Sequence, residues 1–480
     1  MSSKEKIGQY RWTICTLLFI ATTINYMDRQ VLSLTWSDFI APEFHWTNND
    51  YGNITALFSM FYAVSLLFAG RFVDWLDTKK GFLWAIGVWS IAACLHAFCG
   101  IVTSGLLTGN WFVGFEGAKE SIALVDDTAK IVTTSVSLFI FARFVLAFGE
   151  AGNFPAAIKT TAEYFPKKDR AFATSIFNSG ATIGALVAPV TVPFIAAAYG
   201  WEMSFIVIGA LGFVWMGFWV FMYHKPERHP RVSKSELEYI QQDLINDRKL
   251  VDYKEETTEK APFMKCLKYK QTWAFAFGKF MTDGVWWFFL FWTPAYLSSV
   301  YGMDSTESAV PLFVLYLITL LSIIGGWLPT YFVDKKGMNP YEGRMRAMLI
   351  FAFFPLLALF AQPLGHVSYW LPVIIIGIAG AAHQAWSANI FTTVGDMFPK
   401  KAIATITGIG GMGGGVGSFF INKGSGMLFD YSQTTNMSFM GFQGIEAGYF
   451  IVFSGCAVCY LIGWFVMKSL VPKYKPITDL

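Results

Sequence analysis

The stretch EYFPKKDRA at residues 163–171 recurs as DMFPKKA at residues 396–402, an offset of 233, and a glycine-rich apolar run follows each copy. A second echo sets GRFVD (70–74) with KKG (79–81) against DKKG (334–337). Each of these lies in the loop after the second apolar segment of its half. The chain therefore reads as a duplicated unit, an arrangement that many transporter folds share, with the site at the interface between the repeats.

Working outward from the repeat, twelve apolar segments are long enough to cross a bilayer core of about 30 Å. They fall near 11–35, 51–73, 82–104, 135–160, 171–197, 203–223, 271–298, 309–333, 347–364, 370–394, 402–424 and 447–468. Hydrophobic residues make up 54% of the 480 and charged residues only 14%, against roughly 25% charged in soluble domains. The expected fold is an all-α membrane protein of twelve transmembrane helices in two pseudo-symmetric six-helix bundles. The first bundle would occupy 1–223, with an insertion at 105–134 that either lengthens helices three and four or forms a small cap. Residues 224–270, holding 11 of the 36 Lys and Arg, read as a linker, and 271–480 as the second bundle. A net charge of +3 gives no reason to expect a nucleic-acid partner.

With the N-terminus inside, the cytoplasmic segments hold 29 of the 36 Lys and Arg, and the external loops hold only Lys119 and Lys130. That asymmetry places both termini in the cytoplasm. The basic N-terminus leads into an apolar run with no small-residue cleavage site, so the run is expected to be retained as helix one.

A charge inside lipid costs about 2.5–3.5 kcal/mol on insertion scales, so each one needs a reason. Asp28 and Arg29 sit late in helix one. Arg143 and Glu150 sit seven residues apart on one face of helix four, and Lys279 and Asp283 at i,i+4 in helix seven. Carboxylates beside arginines suggest a proton-coupled anion site. A carboxylate changes protonation with its neighbours, and an Arg freed by that change grips a substrate carboxylate through two parallel hydrogen bonds.

Helix ten carries His383, Gln384, Trp386, Ser387 and Asn389. Their amides and hydroxyl suit sugar hydroxyls, and Trp386 suits a sugar ring. By the 233 offset, His383 is the repeat counterpart of Glu150. Tyr62, Asn178 and Trp287 are further polar or aromatic candidates, and Pro294 marks a kink in helix seven.

Gly408, Gly410 and Gly413 match a dinucleotide fingerprint but lie in a spanning helix with no strand before them. Gly413, Gly414, Gly415 and Gly417, like Gly180 and Gly184, are expected to permit close helix contact. Cys456 and Cys459 match a CxxC spacing inside an apolar helix, which favours packing over metal. No nucleophile–base pair, metal cluster or phosphate loop is evident, so neither an enzyme nor a cofactor is expected.

The loop Gly70, Asp74, Lys79, Lys80 resembles the gating signature between helices two and three of the major facilitator superfamily. It departs from the common form with Trp75 and Asp77 where Arg and Gly are usual. Within that superfamily, NYMDR (25–29) and Arg143 with EAGNFP (150–155) resemble the anion:cation symporter family. KFMTDGVWWF (279–288), IGGWL (324–328) and HQAWSAN (383–389) resemble its bacterial hexuronate transporters.

The resemblance implies rocker-switch alternating access without a cofactor, in a monomer of the bacterial inner membrane. It implies that Asp28 and Glu150 carry protons, Arg29 binds the substrate carboxylate and Arg143 couples to Glu150. The expected function is proton-driven import of a hexuronate. An aldonate symporter, an organic-phosphate antiporter and a non-transporting sugar-acid receptor are the alternatives. The antiporter is expected to lack the carboxylate pair and to place further arginines in helix seven. The receptor needs an output domain, which the 47-residue linker is too short to hold.

Overall fold

The computed structural model describes residues 8–242, 262–478 and 480; residues 243–261 of the expected linker lie outside the described residues. Twelve long helices follow in order. They are α1 (Tyr10–Thr35), α2 (Asn48–Leu76), α3 (Thr78–Thr108), α4 (Thr128–Tyr164), α5 (Lys167–Val187, extended by Val192–Tyr199) and α6 (Trp201–Met222). The second set is α7 (Lys270–Tyr301), α8 (Ala309–Lys336), α9 (Pro340–Gly365), α10 (Trp370–Met397), α11 (Lys400–Thr434) and α12 (Ile445–Leu470). Helix α7 runs through Pro294 without interruption.

Nine of the described helices are long and apolar enough to cross a membrane on composition alone. The other three, α1, α7 and α11, are 26, 32 and 35 residues long, ample for a bilayer. Their lower hydropathy comes from Asp28 and Arg29, from Lys279 and Asp283, and from a glycine-rich run with Lys423 and Asp430. These three helices also pack on one another, α7 lying against both α1 and α11.

Glycine sets the closest approaches. A Cβ on Gly180 would lie 2.5 Å from Phe19 O, and one on Gly184 2.5 Å from Thr23 O, so α5 lies directly on the α1 backbone. In the second half Gly413 and Gly417 bring α11 onto Ala276 O and Phe280 O of α7 in the same way. Gly415 meets Ser59 and Ala63, and Gly52 meets Gly426, which brings α2 of one half against α11 of the other.

The 105–134 insertion takes both of the forms it allows. Helix α3 extends to Thr108, α4 begins at Thr128, and a short helix, Phe115–Ala123, caps the bundle between them. Ala118 and Ile122 of the cap are buried, and Lys119 reaches Glu202 at 3.3 Å. On the face that carries the termini, the linker helix Lys234–Ile240 docks through Glu236, whose Oε1 accepts from Arg11 N at 3.0 Å and Arg11 Nη1 at 3.2 Å. The opposite face is shut between the halves by aromatic packing. Trp36 stacks on Tyr51 (centroids 4.1 Å apart, planes 4° apart), Trp292 meets Tyr51 edge-on at 5.0 Å, and Tyr51 OH donates to Phe291 O at 2.9 Å.

Candidate functional site

The α4 helix breaks at Ala151 and Gly152, immediately after Glu150. Gly149 and Gly152 let α3 approach closely here; a Cβ on Gly149 would lie 2.5 Å from Trp89 N. Glu150 reaches across to α1, where Arg29 Nε and Nη2 both donate to Glu150 Oε2, at 3.0 and 2.7 Å. Arg29 is 3% exposed and Glu150 1%, so this is an ion pair sealed from solvent.

The remaining two charges of the cluster make no such pair. Neither carboxylate oxygen of Asp28, 2% exposed, has a hydrogen-bond partner, and Nε and Nη1 of Arg143 have none either. Glu150 Oε1 is likewise unpartnered, as are Asn25 Nδ2, Gln30 Nε2 and Asn153 Oδ1 nearby on α1 and α4. Buried polar groups are nearly always hydrogen-bonded. A group of them left open in one place marks where a ligand, a proton or water belongs.

Aromatic rings wall the site. The Arg29 guanidinium carbon lies 4.7 Å from the Tyr62 ring, 4.8 Å from Trp287 and 4.9 Å from Tyr26. Phe58 serves both arginines, at 5.9 Å from Arg29 and 5.2 Å from Arg143. Rings facing a desolvated guanidinium stabilise it through their quadrupoles. Trp287 comes from α7 and the other three from the first half, so the halves meet on Arg29. Tyr62 and Trp287 are thus brought to the charge cluster as the sequence suggested. Phe58 and Tyr26 escaped the sequence reading, although Phe58 and Tyr62 stand one turn apart on the same face of α2.

The pairing differs from the expected one. Arg143 and Glu150 share a face of α4, yet Glu150 pairs with Arg29 of α1, and Arg143 stacks on Phe58 instead.

The second-half candidates are mostly satisfied within their own half. His383 Nδ1 lies 2.8 Å from Tyr460 OH, and its ring stacks on Trp286 with planes 3° apart. Trp386 is fully buried, edge-on to Tyr460. Asn389 Nδ2 donates to Gly325 O and Ala385 O, both at 2.8 Å, which pins α10 to α8. His383 and Asn389 are therefore spent on contacts within the second half, whereas Trp386 packs by its ring alone and leaves its buried Nε1 without a partner. Gln384 and Ser387 remain half-buried. Lys279 holds Asp283 at 2.7 Å and lies over Phe391 at 4.1 Å. Asn178 is exposed on α5.

In the gating loop, Lys79 Nζ donates to Val220 O at 2.8 Å, Lys80 is exposed, and a Cβ on Gly70 would meet nothing. The Asp74 side chain lies outside those described. Asp77 ends α2 at φ +70° and ψ 156°, a region that glycine favours. Its Oδ1 lies 3.4 Å from Lys225 Nζ.

Comparison with known proteins gives one consistent result. The model of the Major Facilitator Superfamily matches residues 18–422. A hexuronate transporter of Escherichia coli (strain K12) is 28% identical over 431 residues, covering 89% of each chain. A probable galactarate/D-glucarate transporter of the same strain is 25% identical over 473 residues, covering 96% of each. Among solved structures, a bacterial homologue of the human lysosomal transporter Spinster, in an inward-facing, unoccupied conformation, superposes with a TM-score of 0.67. It is 18% identical and both chains are fully covered.

Proposed function

The chain belongs to the Major Facilitator Superfamily and is a multi-pass membrane transporter, and from that premise we propose that it is a proton-coupled symporter that imports a sugar-acid anion, a hexuronate in the first instance. The observation that carries the reading is the single ion pair, Arg29–Glu150, set beside an open carboxylate and an open guanidinium, Asp28 and Arg143.

Four charges with one pair made form a switch. Protonation of Glu150 removes the charge that holds Arg29 and frees a planar two-donor fork for a substrate carboxylate. Arg143, across the shared face of Phe58, offers a second fork to the same group. Asp28 takes up a further proton or accepts from a substrate hydroxyl. Tyr62 and Trp287 supply flat faces against the sugar ring, and Gln384 and Ser387 polar contacts from α10. Cluster neutralisation then removes the charge that opposes rocking of one half, 1–223, against the other, 271–480. The site is built within one chain, which supports a monomer as the working unit.

The Lys and Arg asymmetry supports placing the linker face in the cytoplasm of a bacterial inner membrane. The relative of galactarate/D-glucarate type supports a second reading, a six-carbon dianion, for which Arg29 and Arg143 supply two cations.

The test uses right-side-out vesicles with labelled glucuronate, galacturonate, galactarate, galactonate and glucose 6-phosphate, with and without an inward proton gradient. Gradient-driven accumulation of a uronate is expected. Glu150→Gln is expected to abolish that accumulation while retaining counterflow exchange. Accumulation by this variant at the wild-type level refutes the coupling role, and uptake of the phosphate ester alone refutes the sugar acid.

A further inference from the structure

The halves are joined on the face opposite the linker by charges that find no opposite charge. Helix α2 begins with four backbone N–H groups that need acceptors; Asp50 Oδ2 meets that of the cap residue Thr47, which leaves those of Asn48, Asn49 and Asp50. The third, on Asp50, is met by its own cap, Thr47, in a reciprocal capping box. The first two are met from the other half of the molecule. Asp430 Oδ1 accepts from Asn48 N and Asp430 Oδ2 from Asn49 N, both at 2.9 Å, and Asn48 Nδ2 adds a third bond at 3.0 Å.

Two turns earlier on α11, Lys423 Nζ donates to Asn49 Oδ1 at 2.8 Å and also to Asn53 Oδ1. Beside them Asp38, in the π-helical turn Trp36–Ile40 that ends α1, accepts from Ser305 N at 2.5 Å. A cavity of about 490 Å³, lined by Asp430, Asn48, Trp36 and Ser298 among others, opens onto this seam.

We propose that Asp430 and Lys423 are the external gate of the transporter, holding the two halves shut by capping and bracing the N-terminus of α2 from the opposite half, and releasing it to water when substrate enters. The chemistry suits a bond that must break in every cycle. A buried ion pair that separates leaves two uncompensated charges and costs several kcal/mol. Here each charge faces amides, and both sides exchange those bonds for water when the seam opens. The first-turn N–H groups also carry the positive end of the helix dipole, which directs Asp430 to that position. The proposal needs only alternating access of the two halves, so it does not depend on which anion is carried.

The reporter is Ser59→Cys, a small change on α2 at a site 1% exposed and in contact with α11. It is labelled from outside by a membrane-impermeant maleimide in right-side-out vesicles without any substrate, and the same protein without Ser59→Cys gives the background. Asp430→Asn is expected to raise the labelling rate roughly tenfold, equivalent to about 1.4 kcal/mol in the opening equilibrium. Lys423→Met is expected to raise it several-fold, and Lys423→Arg to restore the slow rate. Unchanged labelling in Asp430→Asn and Lys423→Met overturns the proposal.

A second measurement avoids any question of folding, because its reduced form is its own control. In the Asn48→Cys, Asp430→Cys pair, external oxidation is expected to stop maleimide access to Ser59→Cys, and reduction to restore it. Access that persists in the fully cross-linked protein overturns the gate. A failure of uronate uptake leaves both measurements intact, so the two readings fail separately.

Discussion

The two halves of this molecule treat the buried polar groups of their candidate sites in opposite ways. In the second half His383 pairs with Tyr460, Asn389 makes two hydrogen bonds to backbone carbonyls, and Lys279 holds Asp283. In the first half both oxygens of Asp28, two nitrogens of Arg143 and one oxygen of Glu150 are buried without partners. An unsatisfied buried donor or acceptor costs about 1–3 kcal/mol, and more when charged. The second half has orphans of its own, at Trp386 Nε1, Tyr316 OH and Ser418 Oγ among others, but none on a charged group, so the larger, charged penalty is stored in the first half. Burial of a charge does not by itself indicate function, since Lys279 is buried and satisfied by the half-buried Asp283. The informative sign is a buried charge kept open beside one that is paired.

The sharpest way to break this comparison is to remove an open charge. Arg143→Ala takes away a guanidinium whose Nε and Nη1 bond nothing in the protein. The cost to folding is expected to be small, and the melting temperature in detergent is expected to stay level or rise. Loss of a charge-assisted contact to substrate, worth about 1.5–3 kcal/mol, is expected to raise KM for uptake by roughly 10- to 150-fold. A variant with wild-type KM and a collapsed melting temperature would make Arg143 a structural group and erase the distinction between the halves.

The reverse substitution probes a satisfied group. Asn389→Ala deletes the amide that joins α10 to Gly325 of α8. Hydrogen bonds between spanning helices average about 0.6 kcal/mol and reach about 1.7, so a loss of 1–2 kcal/mol in stability is expected, read by thermal unfolding. KM is expected to stay within about twofold of wild type, because the side chain is spent on packing. A large KM effect at unchanged stability would return Asn389 to the substrate site, where the sequence had placed it.

Part of this was legible in the chain itself. A charge in lipid needs a reason, and that alone located Asp28, Arg29, Arg143, Glu150, Lys279 and Asp283. The glycines of α5 and α11 announced the close helix contacts because a span that rich in small residues has little else to offer. The pairing was not legible. Arg29 and Glu150 lie 121 residues apart, and no local spacing chooses between Arg29 and Arg143 as the partner.

The repeat misled at His383 for a physical reason. Each residue turns a helix by about 100°, so the 233 offset fixes position along the chain but not the direction of a side chain. Helix α4 is broken between Glu150 and the repeated Glu163 motif, whereas α10 runs unbroken from Trp370 to Met397. Glu150 meets Arg29 of α1, while His383 lies against Trp286 and Tyr460. Asp430 was invisible for a third reason, since capping a helix of the other half is a property of the assembled seam.

The smallest expected effect lies where both halves end their second helix. In the second half α8 stops at Gly337 with φ +65°, a conformation that costs glycine nothing. In the first half α2 stops at Asp77 with φ +70° and ψ 156°, where any side chain is strained by about 1–3 kcal/mol. Asp77 has two compensations, a hydrogen bond from the Thr78 backbone N–H and the 3.4 Å approach of Lys225, and the side chains of Asp77 and Lys225 are half exposed or more. Pairs so exposed contribute only about 0–1 kcal/mol. Asp77→Gly is therefore expected to stabilise the protein by about 1 kcal/mol and to leave KM unchanged, read as a higher melting temperature beside an unaltered uptake curve. A lower melting temperature would mean that these two contacts outweigh the backbone strain. A changed maximal rate with unchanged KM would mean that the strain at this loop is used in the transport cycle, and the halves would then differ in gating as well as in binding.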